Sequence, residues 1–523
     1  MHMEDANKYY LKFGYATDLP RGSMDYFLYR FFEVLPGLLI WGTFIALIIL
    51  SWLYPIWASF FIIAFDVYWL LKTVFFSIHI RASYKKMKEH MAIDWMERVR
   101  GLKLSTNELN ASSWEDVYQC VILPCFLEPK AIIEEAIIKI LESTYPVKKI
   151  IMVLAMEEAG GIQDRQIAEE LEAKYKSGFF KFLVTHHPSG VGGELSGKGA
   201  NETYAARKVK EEIIDPLNIP YENIIVSSLD SDTQIYPQYF AIVAYYYLTT
   251  RDPLHSSFQP IPVYNNNIWL AHGLSRIVAY SGTFWQMMQQ TRPERLTTFS
   301  SHSMPFKALV EMDFWHVNIV SEDSRIFWQA LLFYDGRWKV EPLYYPVSMD
   351  ANVGKNILQT AKNIYKQQRR WGWGIENIPY AFFGFMKNKK IPKRTKFRFA
   401  FNQLEGFWSW GTNALIIFLF GWFPIMFGGD IFNTSVLSYN VPRMTRFLMT
   451  ASMFGVISSS IVALRLLPPL PKDYTWRSYT WIVVQWFSLP ITIIFFGAIP
   501  GIDAQTRLMF GKYMGFWRTP KER

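Results

Sequence analysis

The chain has 523 residues, half of them hydrophobic and 17% aromatic, with a mean hydropathy of +0.05 and a formal net charge of +9. That length allows one large domain with membrane segments, or two to three soluble domains; the two cysteines, Cys120 and Cys125, exclude a disulfide framework and show no zinc-site spacing. The excess positive charge suits nucleic acid or an anionic membrane surface, and its position beside hydrophobic runs selects the membrane, with no nucleic-acid partner expected.

Residues 1–35 are polar with mixed charge and read as a cytosolic segment. The first hydrophobic stretch begins only near Pro36, so it reads as an anchor that stays in the mature protein. Residues 36–54 carry no charge and are long enough for a bilayer core of roughly 30 Å. Residues 55–75 follow at once, with Pro55 at the turn. Together they predict a transmembrane hairpin over 36–79, with Trp and Tyr as interface anchors. Asp66 lies inside the second run, either as an intramembrane functional carboxylate or as a residue facing a neighbouring helix.

Between 80 and 400 charged residues become frequent. Residues 118–123, 150–155, 182–185 and 224–229 read as buried strands. Residues 131–144, AIIEEAIIKILEST, have helical periodicity and follow Pro129. Strands alternating with helices predict an α/β domain with a mostly parallel central sheet, whose ligands bind at the carboxyl ends of the strands. Hydrophobic runs return at 412–429, 447–464 and 478–499, within a membrane region over 401–500. Lys387 to Arg398 holds seven basic residues and no acid, which marks the cytosolic side and also suits anionic headgroups. A basic tail, 501–523, ends the chain.

The strand ending at Leu229 leads into Asp230-Ser231-Asp232. Two carboxylates one residue apart at a strand end can share Mg²⁺ or Mn²⁺, or can form only a polar turn. Asp230-Ser231-Asp232-Thr233 also resembles the nucleophile loop of aspartate-dependent phosphohydrolases, but several strands precede it here. Ser321-Glu322-Asp323 precedes an amphipathic helix; its carboxylates suit a general base or a helix-capping cluster. Gln367, Arg370 and Trp371 fall at i, i+3 and i+4 on one helical face, where Arg can grip a phosphate and Trp can border a sugar. The segment from Gly192 to Gly199 nearly matches a P-loop but has Gly199 where the Mg²⁺-binding Ser or Thr would stand, which excludes that ATPase motif.

The order of these motifs, DxD, then Ser-Glu-Asp, then QxxRW between membrane helices, resembles family 2 glycosyltransferases of the cellulose, hyaluronan and chitin synthase type. Leu123-Pro124-Cys125-Phe126-Leu127-Glu128 is similar to the family's first-strand nucleotide motif, and Lys198 and Asn201 to its Lys-Ala-Gly-Asn loop. The likeness covers roughly 117–375 and the membrane flanks. It implies a GT-A fold over 80–400 and an inverting transfer from a nucleotide-sugar, a UDP-sugar above all, to a polysaccharide or lipid-linked acceptor. It implies donor binding by Pro124, Glu128, Glu157, Glu158, Lys198, Asn201 and Asp230. Asp230 and Asp232 would bind Mg²⁺ or Mn²⁺, Asp323 with Glu322 would be catalytic, and Gln367, Arg370 and Trp371 would hold diphosphate and acceptor.

Phe516 to Lys521 is similar to the FxVTxK gating loop of bacterial cellulose synthase, with Arg518 replacing Val. Phe516, Thr519 and Lys521 are then the candidate gating residues. Five spans would put that tail opposite the catalytic domain, so either one run does not cross or the likeness is accidental. Glu157-Glu158 replaces the family's usual Asp-Asp. Thr298–Pro305 replaces a Gly-containing acceptor loop, with His302 as a candidate acceptor contact or an ordinary loop histidine. The expected localisation is the cell membrane, multi-pass, with a cytosolic catalytic domain. The alternatives are a catalytically silent nucleotide-sugar-binding membrane protein and, more distantly, a metal-dependent phosphohydrolase.

Overall fold

The computed structural model describes residues 5–103, 109, 111–469, 471 and 476–521; the outermost residues of the predicted 1–35 segment and of the basic tail lie outside these. The N-terminal segment packs into the α/β domain. Its 3₁₀ turns at Asp5–Lys12 and Ala16–Asp18 bring Tyr10, Tyr15 and Leu19 into the core. The hairpin helices α1 (Met24–Leu53) and α2 (Pro55–Met91) are longer than the predicted 36–79. Ser23 caps α1 by accepting from the Tyr26 amide at 3.1 Å, and Pro55 opens α2 where a missing N–H costs nothing. Trp52 and Trp57 stand exposed at the tip between them.

The α/β domain alternates strands and helices: β1 (Tyr118–Cys125), α3 (Lys130–Leu141), β2 (Ile150–Glu157), α4 (Gly161–Tyr175), β3 (Lys181–His187), α5 (Lys198–Val209), β4 (Ile224–Ser228), β5 (Gln234–Ile235), α6 (Tyr239–Thr249), β6 (Ser256–Val263), α7 (Gly273–Gln290), β7 (Ser303–Pro305), α8 (Glu322–Phe333), β8 (Lys339–Ser348) and α9 (Ile357–Gly372). They form one eight-stranded sheet in the order β3-β2-β1-β4-β7-β6-β8-β5. β3, β2, β1 and β4 run parallel, as does β6 with β8, while β7 joins the two halves antiparallel. The domain is therefore α/β with a mixed, mostly parallel sheet, as predicted. β2 is buried at every position, which is why it reads as one apolar run. On α3, Ile132, Ile133, Ala136, Ile137 and Ile140 form the single buried face that covers the sheet.

All four predicted strands are present. β6 and β8 were not predicted, because Pro260, Pro262, Pro342 and Pro346 interrupt them. The pair accommodates these prolines through a register shift between Gln259 and Ile261.

Among the described residues four helices are long and apolar enough to cross a membrane, or five spans if a bent pair is counted as one. That pair is α10 (Lys393–Phe418) with Phe420–Phe427, bent by 47°. It reaches the hairpin tip, where a Cβ on Gly428 would lie 2.9 Å from Pro55. From there α11 (Val436–Leu466) returns along α2. Thr445 donates to Asp66 at 2.7 Å, Arg81 to Ser458 at 2.9 Å, and Asn265 of the α/β domain to the Leu466 carbonyl at 2.7 Å. Asp66 thus faces a neighbouring helix.

The last run, Thr480–Met509, packs on the α/β domain and on α1 and α10. Trp486 lies on Phe284 with centroids 6.0 Å apart, and Trp410 donates to Gly497 at 3.0 Å. Its final helix, α12 (Ile499–Met509), lays Gly501 and Ala504 against Gly372 and ends where Arg30 holds the Leu508 carbonyl at 2.9 Å. Its outward face, Trp481, Val484, Phe487, Ile491 and Phe495, is apolar and exposed. The tail then turns into the α/β domain, and Lys521 reaches Asp232 at 2.9 Å.

Candidate active site

A cleft of about 310 Å³ opens at the carboxyl ends of β1, β2 and β4, where an α/β sheet of this kind binds ligands. Its walls bring together Pro124 near the end of β1, Glu128 just after that strand, Glu157 at the end of β2, Lys198 and Asn201 at the start of α5, and Asp230 and Asp232 after β4. Glu322 and Asp323 enter from the first turn of α8, and Gln367, Arg370 and Trp371 from the last turns of α9. Phe516, Thr519 and Lys521 of the tail close it. The structure thus gathers every predicted site residue except Glu158. That carboxylate is about half exposed, pairs with Arg165 at 3.6 Å and accepts from the Ser189 amide at 3.1 Å. The turn after β2 points it outward, which corrects its assignment to the donor pocket.

Lys198 is the electrostatic centre. Its ammonium donates to both Asp323 oxygens at 2.8 and 2.9 Å and meets Asp230 at 2.8 Å, with Glu202 at 3.7 Å and Glu322 at 3.9 Å. Burial opposes its charge, but Asp230 and Asp323 outweigh burial and hold its pKa well above the ordinary lysine value. Desolvation would raise Asp230, a partly exposed carboxylate, yet Lys198 and Lys521 hold it far below the usual carboxylate range. Burial pushes Glu322 well up, and pushes Glu202 to about 7 despite Lys198. Lys198 and Lys521 together thus keep Asp230 ionised inside a cluster that would otherwise take up protons. Gly199, beside Lys198, explains the failed P-loop match: a Cβ there would lie 2.7 Å from the His316 carbonyl.

A second cation comes from the tail. Lys521 bonds the Ser231 hydroxyl and Asp232 (2.9 Å), with Glu128 at 3.9 Å. Arg518 donates to the Phe126 and Leu127 carbonyls, so the residue that departs from the gating pattern ties the tail to the turn after β1. Phe516 lies over Gly197, where a Cβ would come within 3.1 Å of the ring, and under the Arg370 guanidinium at 5.1 Å. Arg370 Nε and Thr519 Oγ1 are buried without a hydrogen-bond partner among the described residues, leaving polar groups ready for a ligand.

Asp232 also accepts from the Asp350 amide at 3.0 Å, and Asn266 bridges the Asp232 carbonyl and the Asp350 carboxyl. Burial, with Asp232 close by, pushes Asp350 to about 8. Asp350 was missed; its only sequence signal is an acid just past a strand, and that strand was itself hidden by prolines. Ser300, which bonds the Asp230 carboxylate, was missed inside the Thr298–Pro305 stretch. His302 in that stretch is neither an acceptor contact nor an ordinary loop residue. It is buried below the cleft, 3.1 Å from the Phe299 carbonyl, and burial lowers it to about 4. Trp371 borders a side pocket with Tyr264, Asn352 and Gln367, and stands edge-on to Phe299.

The donor end carries a further device. His187, at the end of β3, meets Glu157 through Nδ1 at 2.9 Å and Glu194 of the Gly-rich loop through Nε2 at 2.8 Å. Burial disfavours the charged ring, but the two carboxylates outweigh it and raise its pKa.

No family profile matches the chain, and no curated protein matches it by sequence. Among solved structures it is similar to S. aureus TarS 1–349 in complex with UDP-GlcNAc, at 15% identity over 66% of this chain and 91% of that one, with a TM-score of 0.35. It is also similar to the same segment in complex with UDP, at 12% identity over 69% and 95%, with a TM-score of 0.34. These likenesses are distant, and the functional reading rests on the cleft itself.

Proposed function

We propose that the chain is a membrane-bound, inverting glycosyltransferase of GT-A type that moves a sugar from a nucleotide-sugar, by resemblance a UDP-sugar, to a glycan or lipid-linked acceptor. One observation carries this reading: motif residues from Pro124 to Lys521 line a single cleft at the strand ends, with acids and bases sorted into distinct positions. Glu128 and Glu157 face the donor's nucleoside end. Arg370, Lys198 and Lys521 supply positive charge for the diphosphate, and Trp371 borders the acceptor beside the side pocket. Asp323 takes the proton of the acceptor hydroxyl as that oxygen bonds to the anomeric carbon and the carbon–diphosphate bond breaks. One base and a cationic leaving-group site suffice for a single displacement, which inverts the anomeric centre.

Asp230 and Asp232 fit Mg²⁺ or Mn²⁺. They are oxygen donors at a strand end, and Asp232 already draws a cation in the Lys521 ammonium. Among the described residues no group of three or more His, Cys, Asp or Glu is arranged to hold a metal, so water and donor phosphate would supply the other ligands. When bound, the cation would neutralise charge on the leaving diphosphate.

The test is product mass spectrometry after feeding UDP- and GDP-sugars, with Mg²⁺ or Mn²⁺, to membranes holding the full chain. Transfer is expected from at least one donor, and loss of at least a hundredfold in Asp232→Ala. Wild-type rates in that variant would sink the metal assignment, and no transfer from any donor would sink the glycosyltransferase reading.

A further inference from the structure

The loop before Asp323 is built in an unusual way. Ser321 is the residue preceding α8, yet its side chain makes no capping bond to that helix. A serine there would ordinarily satisfy one of the helix's free amides. Instead its hydroxyl and the amides of Val320 and Ser321 all turn to one oxygen of Glu376, at 2.6, 3.1 and 2.8 Å. The other Glu376 oxygen accepts from Tyr15 at 2.5 Å and from the Trp373 indole at 2.8 Å. Glu376 is fully buried and lies outside the cleft walls.

A buried carboxylate with five donors is a rigid joint, because moving any donor strands a charge or an amide away from water. This joint ties together two elements that the chemistry must hold in register. One is the loop that starts α8 and carries Asp323. The other is the end of α9, where Trp373 follows Arg370 and Trp371. Arg325, one turn into α8, fastens the same segment by donating to the Glu376 carbonyl at 3.0 Å and to Asn377 at 2.6 Å. Asp323 is held from the far side by Thr298, which donates to its carbonyl at 2.6 Å.

We propose that Glu376 is a positioning residue for transfer: it fixes the Asp323 carboxylate relative to Arg370 and Trp371 without touching donor or acceptor. This rests on Asp323 as the general base. A displacement of about 1 Å at a reacting group can cost a hundredfold in rate, so a joint with no substrate contact can still govern kcat.

The experiment is a double-mutant cycle on the full chain in membranes, using the UDP- or GDP-sugar that the wild type turns over. Glu376→Gln keeps the shape but puts an amide nitrogen opposite the Tyr15 and Trp373 donors. Its kcat is expected to fall at least tenfold, with KM for the donor within about twofold. In an Asp323→Asn background the same change is expected to cost nothing more, because the group it positions is no longer a base. An unchanged kcat, a rise in donor KM matching the rate loss, or a full tenfold further loss in the Asp323→Asn background would each overturn the inference. Should Glu376→Gln fail to fold, Ser321→Ala removes a single donor from the same joint and carries the same cycle with the same expectations. A wild-type chain inactive with every donor would overturn the glycosyltransferase reading itself, and this inference with it.

Discussion

Arg370 shows how one side chain can be placed for a charge that is absent until the reaction occurs. Its guanidinium lies over Phe516, and its Nε has no hydrogen-bond partner among the described residues. A buried donor left open is costly unless a ligand completes it, and a diphosphate would. Arg370→Lys keeps the charge but loses the planar fork. On the proposed function, kcat is expected to fall about a hundredfold with donor KM little changed, because charge on the diphosphate grows as the bond breaks. Steady-state kinetics decide this; an unaltered kcat would remove Arg370 from the leaving-group site. The phosphohydrolase alternative gives Arg370 no role and instead requires a phosphate on Asp230, which mass spectrometry of the protein would reveal. At this scale most of the site was legible, because strand-end acids and helix-face spacing are local patterns. Glu376, Asp350 and Ser300 were not. Each acts on a residue at least 55 positions away, a partnership that only the fold creates.

Among the elements, the Gly-rich loop between β3 and α5 is held to the site by a pairing that depends on pH. Glu194 reaches back to His187, which also meets Glu157, and the Tyr204 ring packs edge-on at 5.5 Å. Burial works against the histidine's charge, but the flanking carboxylates win and raise its pKa in the folded protein. A raised pKa means that the charged pairing stabilises the loop in full below the unfolded value of about 6.5, and that this contribution is lost as pH rises through the higher folded value. Hydrogen exchange in residues 189–197 is therefore expected to accelerate on going from pH 6 to pH 9 beyond the ordinary base-catalysed increase. His187→Gln should abolish the excess. An equal pH response in wild type and variant would show that the histidine does not hold the loop. The sequence revealed the loop through its glycines and Lys198 but not its clasp. It also revealed β1 to β4 through apolar runs, while prolines hid β6 and β8, and β5 and β7 are only two and three residues long.

For the whole molecule the question is which side of the membrane each part occupies. Hydropathy counts five apolar stretches, an odd number that would separate the tail from the cleft. Length and composition alone cannot distinguish a helix that crosses from one that lies beneath a domain. In the structure α1, α2, the bent pair and α11 lead from the α/β domain to the tip at Tyr54-Pro55, whereas Thr480–Met509 packs on Phe284 of the domain at one end and on Arg30 of α1 at the other, so on the proposed function four segments cross and the last run does not. Lys521 on Asp232 then places the tail with the cleft. On the proposed function, the seven basic residues from Lys387 to Arg398 are expected to face the cytosol. Cysteines at 54 and 515 test this directly, since native Cys120 and Cys125 are buried. In intact cells an impermeant thiol reagent is expected to label Tyr54→Cys and to spare Gly515→Cys, with the pattern reversed in inside-out vesicles. Labelling of both from the same face would mean that the four crossing segments were misassigned. Labelling of position 515 alone from outside would invert the protein and remove its access to cytosolic nucleotide-sugars.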